Sequence, residues 1–339
     1  MILAGGLSTR LYPLTKSVPK PLVPVAGVPN AALLMRYLKA YGFDEIAINL
    51  HYLAEAIVEA LGDGSQYGVK LHYSYEPELL GSAGGLKNIE AFFDDEPFVV
   101  IGCDEVTDIR LDELLAFHRE REAIATIGLV ERDDVDQYGV VVLDDRAKIV
   151  GFQEKPAKGT ELSKLANTGV YLFSPEIFNR IPAGEFYDFG KQVFPSLQSA
   201  GEEFYGFHAP GAYWADIGTP GEYRRASYDV VRGVVRIPKT EPNGIDASAR
   251  FGNDVHIEGP VRIGAEASIG DGVSIVGPSV IGDRVRIEPA AILERSILWD
   301  GAEIGARATL HDTIVGTRYV VQPERVLVGA LVALGGTTV

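Results

Sequence analysis

The sequence predicts an α/β domain with a doubly wound, mostly parallel sheet over residues 1–235, followed by a parallel β-helix over residues 236–339. Three observations predict it. Short apolar runs alternate with segments of helical spacing in the first part, a glycine-rich turn closes the first apolar run, and apolar residues recur every six positions in the second part. Strand, helix and strand in succession make the pattern of a sheet covered by helices.

Met1-Ile2-Leu3-Ala4 is the first strand, ended by Gly5 and Gly6. Central strands usually run about 5–6 residues, so this one is expected either to be clipped or to begin upstream. Asn30 to Tyr41 reads as a helix, with Leu33, Leu34, Tyr37 and Leu38 on one face and Gly42 as its stop. Phe98 to Ile101 and Ala125 to Leu129 are continuous apolar runs, as strands buried on both faces require. Between them, Leu111 to Glu122 has helical spacing through Leu111, Leu114, Leu115 and His118. A hairpin follows, with Tyr138 to Leu143, a turn at Asp144-Asp145, and Ile149 to Glu154. Thr219 and Pro220 have the form of a helix start, threonine as cap and proline in the first turn.

Phe251, Ile257, Ile263, Ile269, Ile275, Ile281, Ile287 and Leu293 fall six apart, and glycine follows at Gly252, Gly264, Gly270 and Gly282. Neither an α-helix nor a hairpin has that period; a hexad forms one flat side of a triangular coil. The phase shifts near Leu298 and resumes through Ile304 and Leu310, which gives about four coils of three hexads.

Composition narrows the function. Acidic residues outnumber Lys and Arg 47 to 31, a formal net charge of −16. Such a surface repels nucleic-acid backbones, so no nucleic-acid partner is expected. No apolar run approaches the roughly 20 residues of a membrane helix, the N-terminus lacks signal-peptide form, and the lone Cys103 excludes an internal disulfide framework. A cytoplasmic protein is expected. His51, His72, His118 and His208 sit singly, without metal-ligand spacing, and read as packing or surface residues.

The basic residues that handle an anionic substrate must then be concentrated locally. They are found in Leu3-Ala4-Gly5-Gly6-Leu7-Ser8-Thr9-Arg10-Leu11, which continues through Pro13-Leu14-Thr15 to Pro19-Lys20-Pro21. Glycines let backbone approach a ligand closely, and successive N–H groups form an anion nest. Arg10 offers a planar fork of donors to phosphate, and two prolines stiffen the backbone around Lys20.

This segment resembles the signature of the sugar-1-phosphate nucleotidyltransferases, Leu-Ala-Gly-Gly-x-Gly-Thr-Arg-Leu, then Pro-Leu-Thr, then Pro-Lys-Pro. The resemblance covers essentially the whole chain, because many members append a hexapeptide-repeat β-helix, and it is nearest to the mannose-1-phosphate guanylyltransferases. It implies a Rossmann-like catalytic domain, a left-handed β-helix, and magnesium-dependent, in-line attack of a sugar 1-phosphate on the α-phosphorus of a nucleoside triphosphate. Ser8 stands where the family has glycine, which puts in question whether the backbone there needs positive φ. Gly102-Cys103-Asp104 stands where the family more often has Asn-Gly-Asp; Cys103 is expected to be a small buried packing residue.

Asp104 follows the strand Phe98 to Ile101, at the strand end where open sheets place their sites. From position alone Glu105 and Asp108 compete for a magnesium role, with a helix cap or turn as the plainer reading of Asp108; the resemblance selects Asp104. Asp216, in Trp214-Ala215-Asp216-Ile217-Gly218-Thr219-Pro220, is the second metal ligand implied by resemblance. In the family the residues matching Glu154 and Lys155 hold sugar hydroxyls and the sugar phosphate. The resemblance places Asn167, Gly169 and Gly139 against the sugar, although an Asn-Gly turn entering a strand accounts equally for the first two. Leu3, Ala4, Gly5, Gly6, Ser8, Thr9, Arg10, Glu76, Gly81, Ser82 and Ala83 are the expected nucleotide contacts. Arg10, Lys20 and Lys155 are the expected catalytic cations. A carboxylate accepts from two adjacent donors, which guanine offers, so Glu76 and the resemblance together point to GTP, with mannose 1-phosphate as partner substrate; the competing reading is that Glu76 only caps a turn before Pro77. The alternatives are a glucose-1-phosphate uridylyl- or thymidylyltransferase, a silent subunit that senses NDP-sugars, and an acyltransferase using His256 or His311. The β-helix, with an apolar tail at Val326 to Leu334, is expected to mediate a homo-oligomer.

Overall fold

The structure is a computed structural model and describes residues 1–238, 243–334 and 336–338. The chain divides into two compact units that do not follow chain order: Met1–Gly6 with Leu34–Ala215, and Leu7–Leu33 with Asp216–Val339. Among the described residues no helix is long and apolar enough to cross a membrane.

The first unit is built on a sheet whose strands in chain order are β1 (Ile2–Leu3), β2 (Glu45–Leu50), β3 (Lys70–Tyr75), β4 (Phe98–Gly102), β5 (Ala125–Glu131), β6 (Gly139–Leu143), β7 (Ile149–Glu154), β8 (Leu165–Phe173) and β9 (Phe204–His208). Their spatial order is β7-β6-β8-β4-β1-β2-β3, with β5 pairing to β8 and β9. β3, β2, β1 and β4 run parallel, as the alternation of strand and helix predicts. β8 enters antiparallel to β4, β5 and β6. β1 is central although only two residues long, because Ile2 and Leu3 pair with β2 on one side and β4 on the other. β4 is buried on both faces: Phe98 and Val100 join a core of Ile127, Leu129, Phe173, Phe189 and Phe194, and Val99 and Ile101 are buried as well. Alternation along a strand sends those two pairs to opposite faces.

Two local departures position the candidate site. The ladder of β8 against β5 is interrupted between Asn167 and Tyr171. Inside the interruption the Thr168 hydroxyl donates to Gly128 O at 2.7 Å, and Gly169 takes φ +70°. The strand Glu105–Thr107 follows β4, and the Thr107 hydroxyl donates to Tyr213 O at 2.8 Å. Asp108 is not a helix cap, the role its position suggested. It accepts from Tyr213 N at 2.7 Å, and Arg110 precedes the helix Leu111–Glu120.

In the second unit the β-helix stacks three sheets, parallel throughout except where Gly336–Thr338 closes one of them antiparallel to Leu331–Ala333. Inward apolar residues superpose coil on coil: Phe251, Ile269, Ile287, Ile304 and Val321 in one sheet, Ile257, Ile275, Leu293, Leu310 and Leu327 in the next. Five strands stand in each of these sheets, against the expected four coils. Val326 to Leu334, read as a free apolar tail, supplies the strands Val326–Val328 and Leu331–Ala333 of the last coil.

The repeat glycines face the next coil closely. A Cβ on Gly270 would lie 2.8 Å from Pro289 N, and one on Gly305 would lie 2.8 Å from Gln322 C, whereas Gly252, Gly264 and Gly282 face both the backbone and the Oδ1 of an aspartate one coil on. The phase shift near Leu298 also has a cause. The corner after the second sheet holds Gly259-Pro260 and Gly277-Pro278 in the early coils, and from Arg295 onward it is one residue shorter. Arg295 and Asp312 take positive φ there, and the Arg295 guanidinium holds the Asp312 carboxylate at 2.9 and 2.8 Å.

Candidate active site

In the first unit the glycine turn begins where β1 ends, and a side chain the sequence did not single out fastens it. Asn49 on β2 accepts from Ala4 N at 2.8 Å and donates to Glu76 Oε1 at 2.8 Å. Glu76 is fully buried, and its other oxygen accepts from Leu80 N at 3.1 Å. Each carboxylate oxygen therefore has a protein donor, and Glu76 serves the turn from within. A Cβ on Gly85 would sit 2.5 Å from Glu76 Oε1. Gly81, Ser82 and Ala83 open the helix Gly81–Asn88. Tyr187 O receives Ala83 N and Gly84 N at 3.0 and 2.9 Å, and the Ser82 hydroxyl donates to Asp188 at 2.8 Å.

Asp104 is partly exposed at the end of β4, and Cys103 N donates to Leu3 O at 3.0 Å, which sets it beside β1. Cys103 is buried, as expected. Glu105, the positional competitor, is buried too and accepts from Trp214 Nε1 at 2.7 Å; the same indole N–H reaches Thr168 O at 2.8 Å. A Cβ on Gly169 would lie 2.9 Å from Glu105 Cδ, so glycine there makes room for this carboxylate. Asn167 closes the same turn by accepting from Gly169 N at 3.0 Å, and its amide donates to the Tyr171 hydroxyl at 3.2 Å. A Cβ on Gly139 would stand 3.3 Å from Glu154 Oε2. Lys155 is exposed and has φ +45°, with its N–H donating to Tyr138 O at 3.0 Å. A lysine in the left-handed region is strained by roughly 1–2 kcal/mol, a cost that concentrates at functional positions.

In the second unit Ser8 has φ +54°, which answers the question its substitution for glycine raised: the backbone does need positive φ there. Its carbonyl accepts from the Thr15 hydroxyl at 2.7 Å. Thr9, Arg10 and Leu11 form a short 3₁₀ turn after it. Arg10 Nη2 lies 3.6 Å from Asp216 Oδ2, and Lys20 Nζ lies 3.7 Å from Asp216 Oδ1. Lys20 is nearly buried, whereas the Arg10 side chain is 53% exposed and able to swing to a ligand. A Cβ on Gly218 would fall 2.6 Å from both Arg10 Nη2 and Asp216 Oδ1, so this glycine is the floor under the pair. Thr219 caps the helix Pro220–Val231 as expected, accepting from Glu222 N at 3.3 Å.

Among the described residues no group of three or more His, Cys, Asp or Glu forms a ready metal cage. Asp104 of the first unit and Asp216 of the second are each carboxylates, the kind of hard oxygen donor magnesium takes one or two of when substrate phosphates complete its shell.

The fold and these residues define an enzyme class, the nucleotidyltransferases. The chain belongs to the sugar-1-phosphate branch of that family: residues 1–233 match the nucleotidyl transferase model, and residues 257–337 match the C-terminal domain model described as GMPPB. A UTP–glucose-1-phosphate uridylyltransferase of Synechocystis sp. is 41% identical over 95% of this chain and 88% of its own length. The mannose-1-phosphate guanylyltransferase catalytic subunit beta of Danio rerio is 34% identical over 93% of this chain and 85% of its own length. Among solved structures, HddC from Yersinia pseudotuberculosis is similar with a TM-score of 0.59 and 30% identity, over 67% of this chain and 96% of that one. Relatives of this family join a nucleoside triphosphate to a sugar 1-phosphate, and this chain is such an enzyme.

Proposed function

We propose that the enzyme transfers a uridylyl group from UTP to glucose 1-phosphate, with release of pyrophosphate. The relative that supports this most is the uridylyltransferase, matched over 95% of the chain. Glu76 is fully buried and serves Asn49 and Leu80, which withdraws the observation that pointed to guanine. A second reading, GTP with mannose 1-phosphate, is favoured by the description of the C-terminal domain and by relatives such as the guanylyltransferase of Mycobacterium tuberculosis, 34% identical over 70% of the chain. A matrix of nucleoside triphosphates against sugar 1-phosphates, read by pyrophosphate formation, tests the pair. UTP with glucose 1-phosphate is expected to turn over fastest; GTP with mannose 1-phosphate as the fastest pair overturns the first reading in favour of the second.

In the proposed mechanism Arg10 and Lys20 hold the triphosphate and offset charge on the leaving pyrophosphate. Lys155 grips the sugar phosphate, Glu154 and Asn167 take sugar hydroxyls, and the chain at Gly139 and Gly169 leaves the sugar room. Asp104 and Asp216 hold magnesium, which when bound offsets charge on the α-phosphate. The sugar phosphate is ionised at neutral pH, so positioning suffices and no general base is assigned. Asp104→Ala is expected to lower turnover by about 10³-fold or more while nucleotide affinity stays within about tenfold; near-normal turnover in magnesium rejects the assignment. The β-helix is further proposed to carry a homo-oligomer contact on the sheet that exposes Ile292, Val326 and Val328. Ile292→Glu with Val326→Glu is expected to reduce the mass found by light scattering, and an unchanged mass removes that face from consideration.

A further inference from the structure

The segment that carries Arg10 and Lys20 belongs, by packing, to the β-helix unit. Three contacts mount it there. A Cβ on Gly316 would touch Leu14 Cδ2 at 3.2 Å, and a Cβ on Gly27 would touch Arg262 Nε at 3.1 Å. The third contact is polar and buried. Trp299 Nε1 donates to the Tyr223 hydroxyl at 2.7 Å, and that hydroxyl donates to Pro24 O at 2.7 Å. Both rings are almost completely buried, at 2% for Trp299 and 0% for Tyr223.

We propose that Tyr223 is a positioning residue for catalysis, fixing the distance between Lys20 and Asp216 through a Trp299–Tyr223–Pro24 relay anchored in the β-helix. The argument is geometric. Tyr223 stands in the first turn of the helix Pro220–Val231, where its N–H donates to Thr219 O at 2.8 Å, so its backbone is stiffly joined to the stretch that carries Asp216. Pro24 follows a tight turn in which Val23 N donates to Lys20 O at 3.1 Å and Leu22 N donates to Pro19 O at 2.8 Å, so Pro24 is stiffly joined to Lys20. One hydroxyl therefore ties the two backbones that present the Lys20–Asp216 pair. Because Trp299 can only donate, it fills the hydroxyl's acceptor side and directs the phenolic proton to Pro24 O. Burial holds the phenol well above its ordinary pKa, so it stays a donor. The β-helix thus does more than offer an assembly surface: it is the base on which the catalytic cations are set.

The inference rests on the roles assigned above to Lys20 and Asp216, and the test separates the two. Turnover of the wild-type enzyme checks the nucleotidyltransferase reading. The ratio of Tyr223→Phe to wild type checks the relay. Tyr223→Phe is expected to lower kcat about tenfold or more, since a misplacement near 1 Å costs up to about 10²-fold, while KM for the sugar 1-phosphate stays within about twofold. Affinity for inorganic pyrophosphate, measured by calorimetry, is expected to fall several-fold and needs no turnover. Trp299→Phe leaves the bond to Pro24 in place but undirected, and is expected to show the same pattern at about threefold. It also serves as the test should Tyr223→Phe not fold. A Tyr223→Phe enzyme with kcat and pyrophosphate affinity within about twofold of wild type, whatever its melting temperature, overturns the proposal, because a merely structural bond moves stability alone.

Discussion

The sheet of the first unit and the β-helix both stack parallel strands, yet they bury different things. Among the described residues the polar side chains buried in the β-helix are hydroxyls, Ser279, Ser296 and Thr313, amid aliphatic side chains. The sheet unit buries Glu76, Glu105, Asn49 and His118. Their glycines differ in the same way. Gly270 and Gly305 of the β-helix make room for a neighbouring coil's backbone alone, whereas Gly85 and Gly169 of the sheet unit make room for a carboxylate. Gly218, beside Asp216, is of the carboxylate kind although it belongs to the second unit. A backbone cannot step aside and a carboxylate end can, so one kind of glycine protects the fold and the other protects a charge placement.

That contrast can be broken or sharpened. The largest effect expected concerns acid. His118 accepts from or donates to Thr126 and Ser174 at 2.8 and 3.0 Å inside the sheet unit, and burial lowers its pKa to about 4. The unfolded chain binds this proton near pH 6.5, so between those values the unfolded state holds more protons and stability falls as pH drops. The loss is about 3 kcal/mol in all, measured by denaturant unfolding at pH 7 and 4.5. His118→Gln is expected to flatten that slope, and an unchanged slope assigns the acid loss elsewhere. Next, Gly218→Ala is expected to cut turnover about 10²-fold with little change in melting temperature, since the added methyl displaces charge and not backbone; loss of fold instead erases the distinction between the two glycine classes. Gly270→Ala is expected to do the reverse, costing about 1–3 kcal/mol of stability with turnover per folded molecule retained. The smallest effect is a gain. Ser8→Gly relieves the left-handed strain and is expected to add about 0.5–1 kcal/mol, seen as a raised unfolding midpoint.

Period and alternation made the scaffold legible. The hexads located one inward residue on each flat side from Phe251 to Leu293, though not Val261, Ala267, Val273, Val285 or Ala291 of the same core, and the apolar run Phe98 to Ile101 located a strand buried on both faces. The expected coil count falls short of the five strands per sheet because the corner that shortens at Arg295 hides the phase of the repeat beyond Leu310. The signature glycines, Arg10, Lys20 and Asp216 were legible through resemblance. Asn49 and Gly218 were not, since their role depends on which distant carboxylate the fold brings to them. The bonding of Glu76 is half visible: a turn cap is one of its two readings, and Leu80 N fills it, but its engagement by Asn49 needs three dimensions. Ser8 shows the converse, a sequence departure that leaves the local conformation in place.

The shortened corner has a consequence for how such a chain can change over time. Coils of eighteen and seventeen residues stack in the same column because the difference is absorbed at one vertex, where Gly-Pro gives way to Arg295 and Asp312. An insertion or deletion of one residue at that vertex leaves every flat side in phase, whereas the same slip inside a strand such as Phe98–Gly102 turns its whole apolar set to the wrong face. The vertex works as a slip joint, so variation in length can accumulate along this edge without disturbing the stack.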